Sequence, residues 1–224
     1  MKTIYLGFIY CLVSLCIISA CKEKDRFKPN SDDTQAPGKI TLKSYEALYG
    51  GARFFYSFPD DEDLMSVEAI YTNKNGKKFT FAASYFVDSL DVYGLPDTEE
   101  YTIQLYAVDR AGNKSEPLNV KVRPLEPAFS RVANSMVVKP GFSSFFIDWS
   151  NELKQNINVY VDFTFNQNGE TRSITSVFSS NLEKDRRFIN DLVLSPSEKV
   201  DVKIRVEDIY GNITEPISKG QISL

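Results

Sequence analysis

The chain contains no histidine, and that absence excludes more than any other. No Ser-His-Asp or Cys-His catalytic device can be built, and imidazole metal sites are ruled out. Any catalysis would fall to carboxylates, lysine, tyrosine or a bound ion. Cysteine is nearly as scarce: Cys11, Cys16 and Cys21 are the only three, all near the N-terminus. An excess of positive charge is missing too. Lys and Arg total 26 against 30 Asp and Glu, a net charge of −4, which speaks against nucleic acid because phosphate binding needs a basic surface. Beyond residue 21 no window sustains a helical apolar period. What is plentiful is aromatic: 12 Tyr and 16 Phe, with a single Trp, a composition that leans towards β-structure. A length of 224 residues suits one large domain or two of about 100 each.

The N-terminus reads "MKTIYLGFIYCLVSLCIISAC". Lys2 supplies the charged start, and Ile4 to Ser19 is an apolar run too short to favour a retained spanning helix, so residues 1–20 read as a signal peptide. Ile18-Ser19-Ala20-Cys21 resembles a bacterial lipobox, in which the cysteine is lipidated and becomes the new N-terminus. An ordinary signal peptide with a chance cysteine is the alternative. Removing residues 1–20 would leave Cys21 alone, unable to form an internal disulfide, which agrees with export only if Cys21 carries lipid. Residues 21–37 are polar, charged and proline-containing, and read as a flexible tether. Fully extended, it would reach roughly 50–60 Å at about 3.3 Å per residue. The acidic residues after Cys21 resemble the surface-export signal of Bacteroidetes-type lipoproteins, and that resemblance implies an outer-membrane address facing the cell surface, with the periplasmic face as the alternative.

After the tether, short alternating runs dominate. "KITLKSY", "ARFFYSF", "SVEAIYT", "KKFTFAASY", "YTIQLYAV" and "LNVKVRP" read as strands, separated by Gly, Pro and Asn-Gly turn signals. The plan then repeats. "SSFFIDW" mirrors "ARFFYSF", placing Trp149 where Phe58 stands; "NQNG" mirrors "NKNG"; "VDVKIRVED" mirrors "YTIQLYAVD". "YAVDRAGNKSEP" returns as "RVEDIYGNITEP", so Asp109, Gly112, Asn113, Glu116 and Pro117 recur as Asp208, Gly211, Asn212, Glu215 and Pro216. The spacing between copies widens along the repeat, which predicts an insertion near 178–188. Two prolines in "VRPLEPAF" mark the junction. The division expected is 38–124 for a first β-sandwich and 125–224 for a second.

Each repeat resembles a fibronectin type III or related immunoglobulin-like sandwich. The residues that carry the likeness are "LPDTEEYTIQLYAVDRAGNKS", where a Leu-Pro-Thr corner leads into a strand begun by Tyr101. The likeness implies that the Tyr101 hydroxyl bonds upstream backbone. Leu194 and Pro196 match the corner in the second repeat, but Val200 replaces the tyrosine. The fold class expected is therefore all-β, two tandem antiparallel sandwiches. More finely, "APGKI", "FFYSFPDDEDLMSVEAIYTNKNG", "VDRAGN" and "FIDWSN" resemble a family of Bacteroidetes lipoproteins of unknown function, encoded beside outer-membrane glycan-uptake systems. In that family a paired sandwich is commonly followed by a discoidin-like carbohydrate-binding domain, and no such domain is expected in this sequence.

Candidate sites have plain competitors. Asp60-Asp61-Glu62-Asp63 has the density of a Ca²⁺ loop but not its spacing, and reads as a solvated turn. As a run of neighbours it sets no glycosidase geometry either. Trp149 could stack a sugar, yet it shares a strand face with Phe145 and Ile147 and reads as core. Aromatics near loops are the better sugar-stacking candidates: Tyr49, Tyr85, Phe86, Tyr93, Phe178 and Tyr210. Asn113-Lys114-Ser115 and Asn212-Ile213-Thr214 match N-glycosylation sequons, which the duplication explains as turn residues. Asp88-Ser89-Leu90 resembles the Bacteroidetes O-glycosylation motif. No metal and no cofactor are expected. The resulting expectation is a non-catalytic surface lipoprotein, partnered by the membrane through Cys21 and by oligosaccharide or outer-membrane uptake proteins. The alternative is a structural spacer with no ligand of its own. A carboxylate enzyme stands third.

Overall fold

The structure, a computed structural model, describes residues 33–74, 76–167, 169–190, 192 and 198–223. The leader 1–20, Cys21, most of the tether, and Leu194 and Pro196 lie outside the described residues.

Among the described residues fourteen strands follow one another, with a single helix between the seventh and eighth. In the first half these are β1 (Thr41–Leu48), β2 (Gly51–Ser57), β3 (Leu64–Thr72), β4 (Lys78–Ser84), β5 (Ser89–Tyr93), β6 (Tyr101–Asp109) and β7 (Leu118–Val122). They form a three-stranded sheet β1-β2-β5 and a four-stranded sheet β4-β3-β6-β7, and every strand pair is antiparallel. Alternation builds the core. Ala52, Phe54 and Tyr56 of β2 face Val67, Ala69 and Tyr71 of β3 and Ile103, Leu105 and Ala107 of β6, while the intervening residues, apart from the buried Ile70, are more exposed. The Arg53 guanidinium grips Asp91 across the outer face of β2 and β5, at 2.6 and 2.8 Å.

The second half repeats this order strand for strand: β8 (Val137–Gly141), β9 (Ser144–Ser150), β10 (Ile157–Gln167), β11 (Glu170–Ser180), β12 (Lys184–Ile189), β13 (Lys199–Asp208) and β14 (Ile217–Ser223). Its sheets are β8-β9-β12 and β11-β10-β13-β14. Phe145, Ile147 and Trp149 of β9 pack on Val159, Val161 and Phe163 of β10 and on Val200, Val202 and Ile204 of β13. Trp149 is thus a core residue, as its alternation predicts, and its indole N–H has no partner among the described residues. The registers divide the extra residues: three lie at the β10–β11 turn, where Phe163 and Ile174 are 11 apart against 8 for Tyr71 and Phe79, and four lie between Ser176 and Ile189, 13 apart against 9 for Phe81 and Leu90. The larger share therefore falls in the stretch near 178–188, where the sequence spacing predicts it.

The helix α1 (Ala128–Ser135) occupies what sequence reads as a connector. Pro127 precedes it, and Ala128, Phe129, Val132 and Ala133 form its buried face on the second core. The Lys219 ammonium donates to the carbonyl of Met136 at 2.9 Å, closing the C-terminal end of the helix, and burial holds its pKa below the usual lysine range. Among the described residues no helix is long and apolar enough to cross a membrane.

Candidate functional site

The duplicated turn is built the same way twice. Asp109 accepts from the Asn113 backbone N–H at 2.8 Å and from its side-chain Nδ2 at 2.9 Å; Asp208 accepts the same pair from Asn212, both at 2.9 Å. Gly112 and Gly211 take φ of +88° and +84°, which frees the backbone to reverse between them. Ser115 and Thr214 also match: each hydroxyl accepts the backbone N–H of Ala107 or Val206, both at 3.0 Å. The sequon-like triplets are therefore structural, as the duplication suggests, and β7 and β14, restricted by Pro117 and Pro216, are edge strands. Burial raises the Asp208 pKa, and the hydrogen bonds from Asn212, Tyr210 and Gly211 oppose that rise.

The two copies differ in what their outward atoms hold. Asn113 Nδ2 donates to the carbonyl of Asp33 at 3.0 Å, fixing the end of the tether. Asn212 Nδ2 instead donates to the carbonyl of Gly94 at 3.0 Å, in the other sandwich, and Asn212 is buried. Beside it, the Tyr210 ring enters a slot between Gly94, Phe79 and Phe81, with centroids 6.3 and 6.5 Å from the two phenyl rings. Only glycine fits there: a Cβ on Gly94 would lie 2.8 Å from the Tyr210 ring, and its φ is +86°. Lys77 Nζ donates to the Tyr210 carbonyl at 3.3 Å. On the opposite side, Leu125 is stitched to the first sandwich by Gly50 N–H to Leu125 O and Leu125 N–H to Leu48 O, both 2.9 Å. The Arg131 guanidinium of α1 covers the Tyr49 ring at 5.4 Å. Between these two seams lies a cleft of about 520 Å³, lined among others by Lys74, Asp97, Phe129, Asn212 and Glu215. Sequence alone reads Asp208 to Asn212 as punctuation; in the folded chain the same residues are a domain joint.

The six loop aromatics divide accordingly. Tyr210 fills the joint, Tyr49 lies under Arg131 beside it, and Tyr93 adjoins Gly94 with its hydroxyl on Asp91 at 3.2 Å. Tyr85 and Phe86 form a pair, centroids 4.0 Å apart, at the opposite end of the first sandwich, where Phe86 is 79% exposed. Phe178 lies beneath the Arg187 guanidinium in the second sandwich. Six candidates thus make two local groups and one isolated ring. Ser89, the residue of the O-glycosylation-like motif, opens β5 and is half-buried.

The acidic run folds as a turn, but Asp63 at its end meets Asp33 and Asp109, with ligand atoms within 4.8 Å of one another. The Asp61 hydrogen bond, followed by burial and the neighbouring acidic charges, raises the Asp63 pKa. Both oxygens of Asp109 already accept from Asn113. The Tyr101 hydroxyl does not take the backbone bond its fold likeness implies: it donates to the Asp97 carboxylate at 2.7 Å. Lys74 donates to the same carboxylate at 2.7 Å. A charged acceptor four residues upstream outcompetes a backbone carbonyl for the hydroxyl.

Solved structures similar to the chain include the two fibronectin type III domain segment of chicken tenascin, 16% identical over 85% of this chain and 100% of that one, TM-score 0.36. Chicken CNTN1 FN1–FN3 domains are 15% identical, covering 82% of this chain and 66% of theirs, TM-score 0.38. The chicken interferon gamma receptor alpha chain is 13% identical over 84% and 99%, TM-score 0.33. Among curated proteins none matches the sequence. Residues 37–124 match the family described as "Domain of unknown function (DUF4959)", and residues 125–221 match "Domain of unknown function (DUF5126)".

Proposed function

We propose that the protein is a non-catalytic accessory component of a polysaccharide-uptake system, anchored to the outer membrane by a lipid on Cys21. Its two sandwiches present a partner at a fixed distance and angle from that anchor. The observation that carries this reading is the joint: Asn212, Tyr210 and the Lys77–carbonyl bond on one side and the Leu125 backbone pair on the other. A module that merely filled space between other domains has no need of a glycine slot and a buried side-chain amide at its hinge. Carboxylates are among the groups left for catalysis without histidine, and the three that meet among the described residues adjoin the turn that holds the tether. The lipobox-like N-terminus and the family resemblance support the address and the context.

A second reading has its own observation. The exposed Tyr85–Phe86 pair offers two adjacent aromatic faces, the arrangement on which a sugar ring stacks. The proposed role is tested by detergent extraction of the full-length lipoprotein from its host, followed by identification of co-purifying outer-membrane uptake proteins. A Tyr210→Ala/Asn212→Ala protein that stays folded is expected to lose them. Equal recovery from both proteins would remove the requirement for a fixed joint. Titration against a glycan panel then decides the second reading, through loss of binding in Phe86→Ala.

A further inference from the structure

The end of the first sandwich remote from the joint carries an apolar tip. Tyr93 ends β5 beside Gly94 of the joint, so Ser89, where β5 begins, and the turn before it lie at the opposite end. That turn is Tyr85-Phe86-Val87-Asp88. Phe86 and Val87 are exposed, and Met65, early in β3, adds another exposed apolar side chain. The backbone beneath them is tied down. Tyr85 N–H donates to Met65 O and Val87 N–H to Ser84 O, both at 3.1 Å, and Tyr56 N–H donates to Asp88 O at 3.0 Å. The hydroxyl of the buried Tyr56 donates to Val87 O at 3.3 Å. A turn that faces water has no need of internal partners for its peptide groups. One that enters an apolar phase does, because no solvent is there to replace them. The described chain also begins at this end. Asp33 O accepts from Asn113 Nδ2 at 3.0 Å, Asn113 is bound to Asp109, and Asp109 pairs with Leu64, next to Met65.

We propose that the Tyr85–Val87 tip, with Met65, rests in the interfacial layer of a zwitterionic phospholipid membrane when the chain is anchored through Cys21. The inference rests on the lipid anchor of the proposed function. Residues 21–32 span at most roughly 40 Å at about 3.3 Å per residue, so the anchor holds the tip within that reach of the bilayer. Contact is then intramolecular, and a small patch is enough. The composition suits the layer. Phe86, Val87 and Met65 supply apolar surface, while the Tyr85 hydroxyl and the exposed Lys43–Asp88 ion pair, 3.5 Å long, supply a polar border at headgroup level. Charge selects the lipid: Asp60, Asp61 and Glu62 lie between β2 and β3 at this same end, and an anionic surface would repel them. A sugar would stack on the rings of Tyr85 and Phe86 and has no use for Met65, Val87 or a turn with its peptide groups tied internally. A second copy meeting tip to tip would bring the two acidic loops together.

The test takes the chain from Cys21 onward, which holds every described residue, and couples its sole cysteine to a maleimide lipid in phosphatidylcholine vesicles, so the result does not depend on lipidation in the host. In a Trp149→Phe background a single reporter is placed as Phe86→Trp, and quenching by brominated phosphatidylcholine is read. The reporter should shift to shorter wavelength and be quenched. A Phe142→Trp reporter, in the β8–β9 turn at the end of the second sandwich away from the joint, should stay unquenched. Met65→Asp should cut the quenched population about tenfold, and replacing about a third of the lipid by an anionic one should lower it too. An unquenched reporter at 86, equal quenching at 86 and 142, or quenching that survives Met65→Asp overturns the proposal, and contact undiminished by anionic lipid overturns the choice of lipid. A shift at 86 that grows with protein concentration without vesicles gives the tip to a second copy, and saturable glycan binding lost in Phe86→Ala gives it to a sugar; either overturns the membrane contact. The mass of Cys21 in protein extracted from the host is read separately: an unmodified cysteine there removes the anchor from the proposed function, while the vesicle result still decides the tip.

Discussion

The joint should make the two sandwiches of the wild-type chain unfold together, and replacing Tyr210 and Asn212 by alanine should uncouple them. The magnitude follows from what the two side chains hold. The Asn212 side chain donates to Gly94 O and Asp208 Oδ2 at 3.0 and 2.9 Å, and it does so in a buried setting. Deleting it strands the buried Gly94 carbonyl, at about 1–3 kcal/mol, while the Asp208 carboxylate keeps the backbone N–H bonds of Tyr210 and Asn212. The Tyr210 ring adds about 1–2 kcal/mol from its packing on Phe79 and Phe81. The first turn supplies the control: Asn113→Ala removes the equivalent bond to Asp109 but only a bond to the tether beyond it. Trp149, the single tryptophan, reports the second sandwich alone, while far-ultraviolet circular dichroism reports both. In urea the two probes should coincide for wild type and for Asn113→Ala. They should separate for Tyr210→Ala/Asn212→Ala, with a midpoint shift worth about 2–5 kcal/mol in the less stable sandwich. Coincident transitions in the double variant, or a destabilisation no larger than that of Asn113→Ala, would refute the joint as the source of coupling.

Gly94→Ala should cost more than Gly112→Ala although both adopt positive φ: the second has open space, so it bears only a conformational penalty of about 1 kcal/mol, whereas the first also drives a Cβ into Tyr210. Chemical denaturation of the two variants gives the comparison directly. Trp149→Phe should change stability by less than about 1.5 kcal/mol, because the smaller ring area is offset by removal of an unpaired buried N–H, while Trp149→Ala should cost about 3–5 kcal/mol; equal costs would show that the indole N–H carries no penalty. The stability of the second sandwich should depend on pH with two opposite slopes. Asp208 has a folded pKa above its unfolded value, so it binds a proton more readily when folded, and stability rises as pH falls through that window. Asp148 and Asp162 are held low by hydrogen bonds from Arg186 and Arg205, so their contribution, present above the ordinary carboxylate value of about 3.9, is lost as pH falls further. Trp149-monitored denaturation should show the first slope vanish in Asp208→Asn, and its persistence would contradict the assignment.

How far the sequence carries the fold depends on whether each feature is local. β2, β3, β6, β9 and β13 announce themselves because each buries one face, so Phe54, Ile103 and Val202 alternate with polar neighbours over a readable length. β5 does not: Ser89 to Tyr93 is five residues long and follows the exposed Phe86 and Val87 without a turn signal. The helix α1 spans two turns with only four buried residues, too short for its period to stand out from a proline-flanked connector. The turns at Asp109 and Asp208 are legible as turns because the bonds from Asn113 and Asn212 that shape them reach back only four residues. Their function is not, because Asn113 and Asn212 are the same residue in the same turn and differ only in what a distant part of the chain brings to them. One meets the tether and the other meets Gly94. A duplicated sequence therefore reports the shared fold faithfully and hides the site. The site appears only where the copies stop being equivalent, with one amide on the tether and the other on the neighbouring sandwich.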